Sequence, residues 1–458
     1  MEEFLLKVKK VYLVGIGGVG MSGLALLLKD KGFSVSGSDI RHSYTVNILK
    51  KEGIKVHIGH NRSQIDSDVD LLVYSSAIGE ANPEIAFAKQ KGIRIIKRGV
   101  LLASLSAGKK VIAIAGSHGK TTTTSLIGYL LKSLGCKPTI FVGGLPLNYS
   151  RGAFWGDDYF VIETDESDGS FLEYNPWVAV ITNVDKEHLD FYKTYENLQN
   201  NFKQFANQTE ACLIGLGDQD DLLEIINQRG GVSFGWSKKN LIRGDNFHFD
   251  GKMSNFDLYI KGEYELRVSL PLVGKHNCLN ALAAFAFFYY IDQDLDKVND
   301  KLKYFKGIKR RFQVKETIDN VTFIDDYAHH PAEISAVISA AKLLNPKRLF
   351  VVVQPHRYSR AKILQHDFAR CFSDADELIV TDIYSASEEN LESVNVLDLI
   401  KETKEQFSGK IEYIPKNLLK QSLLERFKAG DLVLALGAGD IDQIMSLVRD
   451  EYKKIRVT

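Results

Sequence analysis

Short apolar runs that break at glycine set the pattern of this chain. Val11-Tyr12-Leu13-Val14 stops at Gly15, and Val111-Ile112-Ala113-Ile114-Ala115 stops at Gly116. Unbroken apolar runs of this length read as strands buried on both faces. The spacing then changes. Leu126, Ile127, Leu130, Leu131 and Leu134 fall on one helical face, with Gly135 as the stop. Further strands are predicted at 55–58, 70–74, 159–163 and 178–182. Five more are predicted at 321–324, 348–353, 377–381, 410–414 and 432–436, with helical patterns between them. Residues 211–270 read as short hairpins over 247–250, 256–260 and 264–268 at a domain edge. Strands alternating with helices predict α/β domains whose mostly parallel sheets are covered on both faces.

Each glycine break has its own chemistry. Gly15-Ile16-Gly17-Gly18-Val19-Gly20-Met21 is Gly-x-Gly-x-x-Gly running into a helix, with Asp39 at the end of the next predicted strand. The pattern specifies a pyrophosphate at a helix N-terminus and a polar anchor for the attached nucleoside. NAD meets that requirement, and so does a UDP-sugar. Ser75 and Ser76 follow the strand at 70–74; they either touch phosphate or form a serine-rich turn. Arg98, before the next apolar segment, reads as a solvated charge.

The second break, Gly116-Ser117-His118-Gly119-Lys120-Thr121-Thr122, is a phosphate seat. Loop N–H groups and the positive end of the helix converge on one anion. Lys120 is placed to reach the terminal phosphates, and the Thr121 hydroxyl to hold Mg²⁺. The longer P-loop pattern wants a glycine where Ile114 stands. The strand at 159–163 ends in Glu163, Asp165, Glu166 and Asp168. Such crowding at a buried strand exit calls for a cation. Glu163 is the expected metal ligand, with Asp165 or Asp168 as further candidates, the alternative being Asp165 or Ser167 as a helix cap. His188 follows the strand at 178–182, over the same sheet edge, and is expected on metal or phosphate.

Composition narrows the function. At 458 residues the chain has room for about three domains. Lys+Arg and Asp+Glu both number 58, so no net field attracts polyanions, and general nucleic-acid or membrane binding is not expected. Cys136, Cys212, Cys278 and Cys371 are scattered, as reduced thiols of a cytoplasmic protein are. The first ten residues are too charged for a secretory signal or a spanning helix.

Two later clusters carry charge. Gly307-Ile308-Lys309-Arg310-Arg311-Phe312 is either a charged linker or a way to present arginine to a γ-phosphate. Arg357 and Arg360, at a predicted helix start, would repel its dipole unless they clamp an anion such as a small carboxylate. Asn277 and Asn280 are i and i+3 at the start of an alanine-rich helix, either capping it or facing a site.

In order and spacing, GIGGVGMSGLA, SGSD, SSAI, AGSHGKTTTT, ETDESDGSF, ITNVDKEHLDFY, GKHNCLNALAA, RRF, DDYAHHP, QPHRYSR and GAGDI resemble the Mur ligases over nearly the whole chain. The resemblance implies three α/β domains. These are a Rossmann-like UDP-binding domain over 1–106, a central P-loop ATPase-like domain over 107–314 and a C-terminal Rossmann-like domain over 315–458. It implies an ATP-dependent ligase with Mg²⁺, joining L-alanine to UDP-N-acetylmuramate in a monomer or homodimer. A recycling ligase that adds a preformed peptide is the alternative. Lys120 and Thr121 then serve ATP and Mg²⁺, with Glu163 and His188 at metal positions. His276, Asn277 and Asn280 lie near the nucleotide, Arg311 on a phosphate and Asp326 near the ribose. Arg357 and Arg360 hold the alanine carboxylate beside Tyr327 and His329. The first glycine loop, Met21, Asp39 and Ser75-Ser76 match the UDP site. His188 and His329 are both open as the base that serves the amine. The loop over 143–152 is shorter than the family's.

Overall fold

A computed structural model describes residues 3–75, 77–149, 151–386, 388–390 and 393–457. They form two compact units. One comprises residues 1–245, 257–268 and 279–305; the other comprises 246–256, 269–278 and 306–458.

The first unit opens with a five-stranded sheet of β1 (Lys10–Val14), β2 (Ser34–Asp39), β3 (Lys55–Ile58), β4 (Leu71–Tyr74) and β5 (Arg94–Lys97). The order is β3-β2-β1-β4-β5, parallel throughout. Strand order reverses between β1 and β4, which opens a crevice at their carboxyl ends, where the first glycine loop lies. The strand predicted from residue 70 starts one residue later. The Asp70 carboxylate instead accepts from the N–H groups of Lys9 (2.8 Å) and Lys10 (2.9 Å).

Tyr12, Val14, Leu72, Ile85 and Ala88 pack one face of this sheet. Glu84 is fully buried beside that core. Its carboxylate accepts from Tyr12 Oη (2.7 Å) and Ser38 Oγ (2.6 Å), and His60 Nδ1 lies at 2.8 Å. Three polar partners make a buried carboxylate tolerable, and here they tie β1, β2 and the loop after β3 together.

The second sheet is built from β6 (Lys110–Ala115), β7 (Thr139–Phe141), β8 (Ala153–Phe154), β9 (Tyr159–Glu163), β10 (Val178–Ile181), β11 (Cys212–Leu216), β12 (Val232–Gly235), β13 (Ile242–Phe249), β14 (Ser254–Ile260) and β15 (Glu263–Leu270). Its order is β15-β14-β13-β12-β11-β10-β6-β9-β7-β8. β6 lies between β10 and β9, parallel to both, so three strand exits converge on the second glycine loop. The predicted hairpin strands are longer than expected and join this sheet. The short loop after β7 is anchored by Arg151, whose guanidinium forks onto Asp30 at 3.1 and 2.6 Å.

The second unit holds a six-stranded sheet of β16 (Gln313–Ile318), β17 (Val321–Asp326), β18 (Arg348–Val353), β19 (Glu377–Val380), β20 (Lys410–Tyr413) and β21 (Asp431–Leu436), in the order β16-β17-β21-β18-β19-β20. Only the edge strand β16 runs antiparallel among its pairs. Strand alternation divides the core. Val351 and Val353 enter one apolar cluster, while Phe350 and Val352 enter another on the opposite face. Both faces are covered, as the doubly wound reading expects. No helix among the described residues is long and apolar enough to cross a membrane, and the four cysteines are free.

Removing the buried carboxylate while its donors stay behind is costly. Glu84→Leu should lower stability by roughly 3 kcal/mol, read as a lower denaturant midpoint for the first unit. An unchanged midpoint would contradict the role given to this network.

Candidate functional site

Gly119 ends the second glycine loop in the left-handed region (φ 82°) and caps the helix Lys120–Ser133 without any side-chain hydrogen bond. The first-turn N–H groups are therefore not taken up by a side-chain cap, which is what an anion seat needs. Glycine is required at this point. A Cβ on Gly119 would overlap Asn280 Oδ1, and one on Gly116 (φ 130°) would overlap Thr182 Oγ1. Asn183 holds the loop open: its Oδ1 accepts from His118 N (2.9 Å) and its Nδ2 donates to His118 O (3.0 Å). Ser117 Oγ accepts from Asp185 N at 2.8 Å. His118 Nε2 lies 3.1 Å from Asp185.

Lys120 folds back over its own loop. Its Nζ donates to Gly116 O (2.5 Å), Ser117 O (3.1 Å) and Glu166 Oε1 (2.7 Å). Burial alone would lower this amine, but Glu166 beside it, with Glu187 and Glu163, holds it raised and charged. Thr121 Oγ1 donates to Glu163 Oε1 at 2.7 Å, and Gly143 N donates to Glu163 Oε2 at 2.6 Å. His188 stands in the left-handed region (φ 55°) with Nε2 3.4 Å from Glu166 and 3.8 Å from Glu187.

The expected metal residues thus fall into two adjoining groups. Thr121 meets Glu163, whereas His188 meets Glu166 and Glu187. One donor atom from each of Glu166, Glu187 and His188 lies within 4.8 Å of the others. Glu166 Oε2 is buried with no hydrogen-bond partner. A buried, unsatisfied carboxylate oxygen in a mixed oxygen and imidazole set fits a divalent cation. Sequence reasoning assigned no role to Glu187 and counted Glu166 only among crowded acids. Their signal was the density of acids after β9 and β10.

Asp165 and Ser167 do not cap a helix. Asp165 Oδ1 accepts from Ser167 N (3.1 Å) and Ser167 Oγ (2.6 Å), while the short helix Ser170–Glu173 begins at Gly169 without a side-chain cap. Arg98 is not a solvated charge either. Its side chain is 21% exposed, and Nη2 pairs with Asp165 Oδ2 at 3.1 Å. The pairing of residues 67 positions apart was invisible to local pattern.

The first glycine loop has the same design with different wiring. Gly15 takes φ 77°, and both Gly15 N and Ile16 N donate to Ser38 O at 2.9 Å. Asp39 Oδ2 accepts from Gly17 N at 2.9 Å, so this carboxylate braces the loop. Gly18 caps the helix Val19–Asp30 without a side-chain hydrogen bond, Gly20 lies in its first turn, and Met21 is buried on it. Ser75 forms a turn, its carbonyl accepting from Ile78 N at 2.9 Å. Ser76 lies outside the described residues.

The second unit gathers the remaining candidates. Asp326 is buried and accepts from Phe312 N (2.6 Å) and Ala328 N (2.7 Å). Burial pushes its carboxyl up to about 6 against the pull of Arg311 and those two N–H groups. Arg311 lies 3.7 Å from Glu333 and over the Tyr327 ring at 5.3 Å. His276 is half-buried near Arg311, and loss of solvent followed by that cation pushes its imidazole down to about 4. Asn277 Nδ2 donates to Val273 O at 2.8 Å, bracing the start of the helix Lys275–Tyr290. His329 Nδ1 meets Tyr327 O at 3.0 Å, and its ring packs against His356 at 5.3 Å. Arg360 Nη1 reaches His356 Nδ1 at 3.1 Å, and Arg357 lies 3.8 Å from Glu388. Arg357 takes φ 67° just before the short helix Tyr358–Ile363, so the two arginines flank a strained turn.

Three family models match in order. The Mur ligase family catalytic domain matches residues 10–110, the Mur ligase middle domain 114–288, and the Mur ligase glutamate ligase domain 310–439. The UDP-N-acetylmuramate–L-alanine ligase of Caldanaerobacter subterraneus is 39% identical, over 99% of this chain and 100% of its own length. The enzyme of that name from Aquifex aeolicus is 40% identical, over 95% of this chain and 96% of its own. The crystal structure of UDP-N-acetylmuramate–alanine ligase from Thermotoga maritima superposes with a TM-score of 0.85 at 28% identity, covering 97% of this chain and 99% of that one. A murein peptide ligase from Psychrobacter arcticus shares the fold, with a TM-score of 0.73 at 23% identity over 97% of this chain and 99% of that one.

Two measurements test this geometry. Gly119→Ala should abolish nucleotide binding, read by titration calorimetry, because the new Cβ meets Asn280 and the left-handed turn is strained. His276 has a folded pKa of about 4 against about 6.5 unfolded. Its neutral form therefore stabilises the fold above pH 6.5, and that contribution is lost as pH falls through 4. His276→Gln should flatten the loss of stability between pH 6.5 and 4 in urea titrations; an unchanged slope would argue against a half-buried neutral histidine.

Proposed function

The chain belongs to the Mur ligase family, and we propose that it is an ATP-dependent ligase that joins L-alanine to the carboxylate of UDP-N-acetylmuramate, releasing ADP and phosphate. It acts in the cytoplasm, in the synthesis of the peptidoglycan precursor, as a monomer or homodimer. Residues 1–106 serve the UDP-substrate, 107–314 serve ATP, and 315–458 serve ATP and the amino acid. The observation that carries this reading is the uncapped helix start at Gly119, with Lys120 and Thr121 facing carboxylates from the exit of one strand, β9. Relatives bearing that activity in their names, similar along nearly their whole length, support the choice of substrates.

Amide formation in water needs an activated acyl group. The muramate carboxylate takes the γ-phosphoryl group of ATP, giving an acyl phosphate and ADP. The alanine amine then attacks the acyl carbon and phosphate leaves. In the first step the chain's work is positioning and charge neutralisation. Gly116, Ser117, His118, Gly119 and Thr122 form the loop and helix start that cradle the phosphates. Lys120 leaves Glu166 for the terminal phosphates. Arg311 adds a second cation. His276, Asn277, Asn280 and Asp326 seat the nucleoside.

Thr121, Glu163 and His188, joined by Glu166 and Glu187, would hold Mg²⁺, which supplies neutralisation of phosphate charge when bound. Arg357 and Arg360 hold the alanine carboxylate beside Tyr327. His329 serves the amine as base, since the Nδ1 contact with Tyr327 O favours the tautomer whose Nε2 accepts a proton. His188 is left to the metal. The first glycine loop, with Gly15, Gly17, Gly18, Gly20, Met21, Asp39 and Ser75, seats the UDP moiety.

Phosphate release with UDP-N-acetylmuramate, ATP and Mg²⁺ is measured with L-alanine or with a tripeptide as acceptor. Alanine should support turnover and the tripeptide should not. Release with the tripeptide alone would identify a peptide-recycling ligase instead. Lys120→Ala should reduce turnover by at least about a thousandfold while UDP-N-acetylmuramate still binds, because removing a cation from a phosphoryl-transfer site loses its charge stabilisation. Equal loss of both would contradict separate sites.

A further inference from the structure

Arg98 begins the helix Arg98–Ser106 and reaches in two directions. Nη1 covers Gly20 in the first turn of the helix that follows the first glycine loop, so closely that a Cβ there would overlap it. Nη2 pairs with Asp165 Oδ2 at 3.1 Å. Asp165 belongs to a wired turn: its carbonyl accepts from Phe171 N (3.1 Å) and Ser170 Oγ (3.2 Å), and Ser167 holds its carboxylate. A Cβ on Gly99 would lie 3.0 Å from Ser170 Cβ, so the start of the Arg98 helix rests on this same turn. The next residue, Glu166, grips Lys120 of the phosphate seat, and its carbonyl accepts from Tyr192 Oη at 2.5 Å. One guanidinium thus touches the first glycine loop and the turn that positions the lysine of the second.

We propose that Arg98 is a positioning residue that couples the two glycine loops, so that each site binds its ligand differently when the other is filled. The proposal rests on the reading of those loops as separate UDP-substrate and ATP sites. A cation beside the positive end of a helix is unfavourable alone, and Asp165 offsets it. A diphosphate on the first loop draws on the same guanidinium that holds Asp165, and its planar fork moves as one rigid group. Any shift of Asp165 is passed to Glu166, because Ser167, Ser170 and Phe171 tie the turn into one piece. The coupling is reciprocal by linkage.

The test measures the affinity of a non-hydrolysable ATP analogue with Mg²⁺ by calorimetry, with and without saturating UDP-N-acetylmuramate. The wild-type ratio of the two affinities should be on the order of fivefold or more. Arg98→Ala and Asp165→Asn should bring the ratio to about one while each ligand still binds alone. Arg98→Lys, which keeps the charge and loses the fork, should give an intermediate ratio. It also serves if the alanine variant does not fold. A merely structural role would weaken both ligands and leave the ratio unchanged, and that result would overturn the proposal, as would a wild-type ratio of one. Failure of the wild-type protein to bind UDP-N-acetylmuramate at all would instead sink the functional reading.

Discussion

The part-buried pair of Lys120 and Glu166 is the constraint on which the phosphate seat depends. Three carboxylates, Glu163, Glu166 and Glu187, act on one largely shielded amine at the start of a helix. Charges taken out of water are tolerated only when paired and hydrogen-bonded. Lys120 answers Glu166 Oε1, Thr121 and Gly143 answer Glu163, and His188 stands against Glu166 and Glu187, while Glu166 Oε2 alone of these carboxylate oxygens is buried without a hydrogen bond. Lys120 also donates to the carbonyls of its own loop, so one amine ties that loop to the acids beyond β9.

The two glycine loops of the first unit solve the same geometric problem with different supports. Both follow a buried strand and precede a helix with no side-chain cap. In the first, Asp39 at the end of β2 braces the loop from beneath, and the buried Glu84 network fixes Ser38 one residue earlier. In the second, Asn183 beyond β10 grips both the N–H and the carbonyl of His118. A carboxylate beneath one loop and an amide beneath the other give the seats different electrostatics. That difference fits a diphosphate held by backbone dipoles and a triphosphate held by lysine and metal.

The second unit supplies groups whose charge state is set by burial. His276 is held neutral, and Asp326 has a raised carboxyl that nevertheless orders the turn carrying Arg311 and Phe312. His356, pushed down to about 3 by burial and by His329 and the arginines around it, accepts from Arg360 as a neutral ring. A neutral His356 leaves Arg357, Arg360 and Arg310 as cations around it, an arrangement that suits a carboxylate ligand.

Local rules were enough to read much of this protein. Apolar runs located most strands of all three sheets, since a buried strand is an unbroken apolar segment. Glycines 15, 116 and 119 marked the turns, because only they take those backbone angles without strain. The crowding of acids after β9 called for a positive partner, and Lys120 meets Glu166 there. Which acid meets which base was not legible. Lys120 and Glu166 are 46 residues apart, and Arg98 and Asp165 are 67 apart. Their meeting follows from β6 lying between β10 and β9 and from the start of the Arg98 helix resting on the turn after β9. Periodicity reports which face of an element is apolar. It carries no record of which strand lies beside which, and so the elements belong to the sequence and the pairings to the tertiary fold.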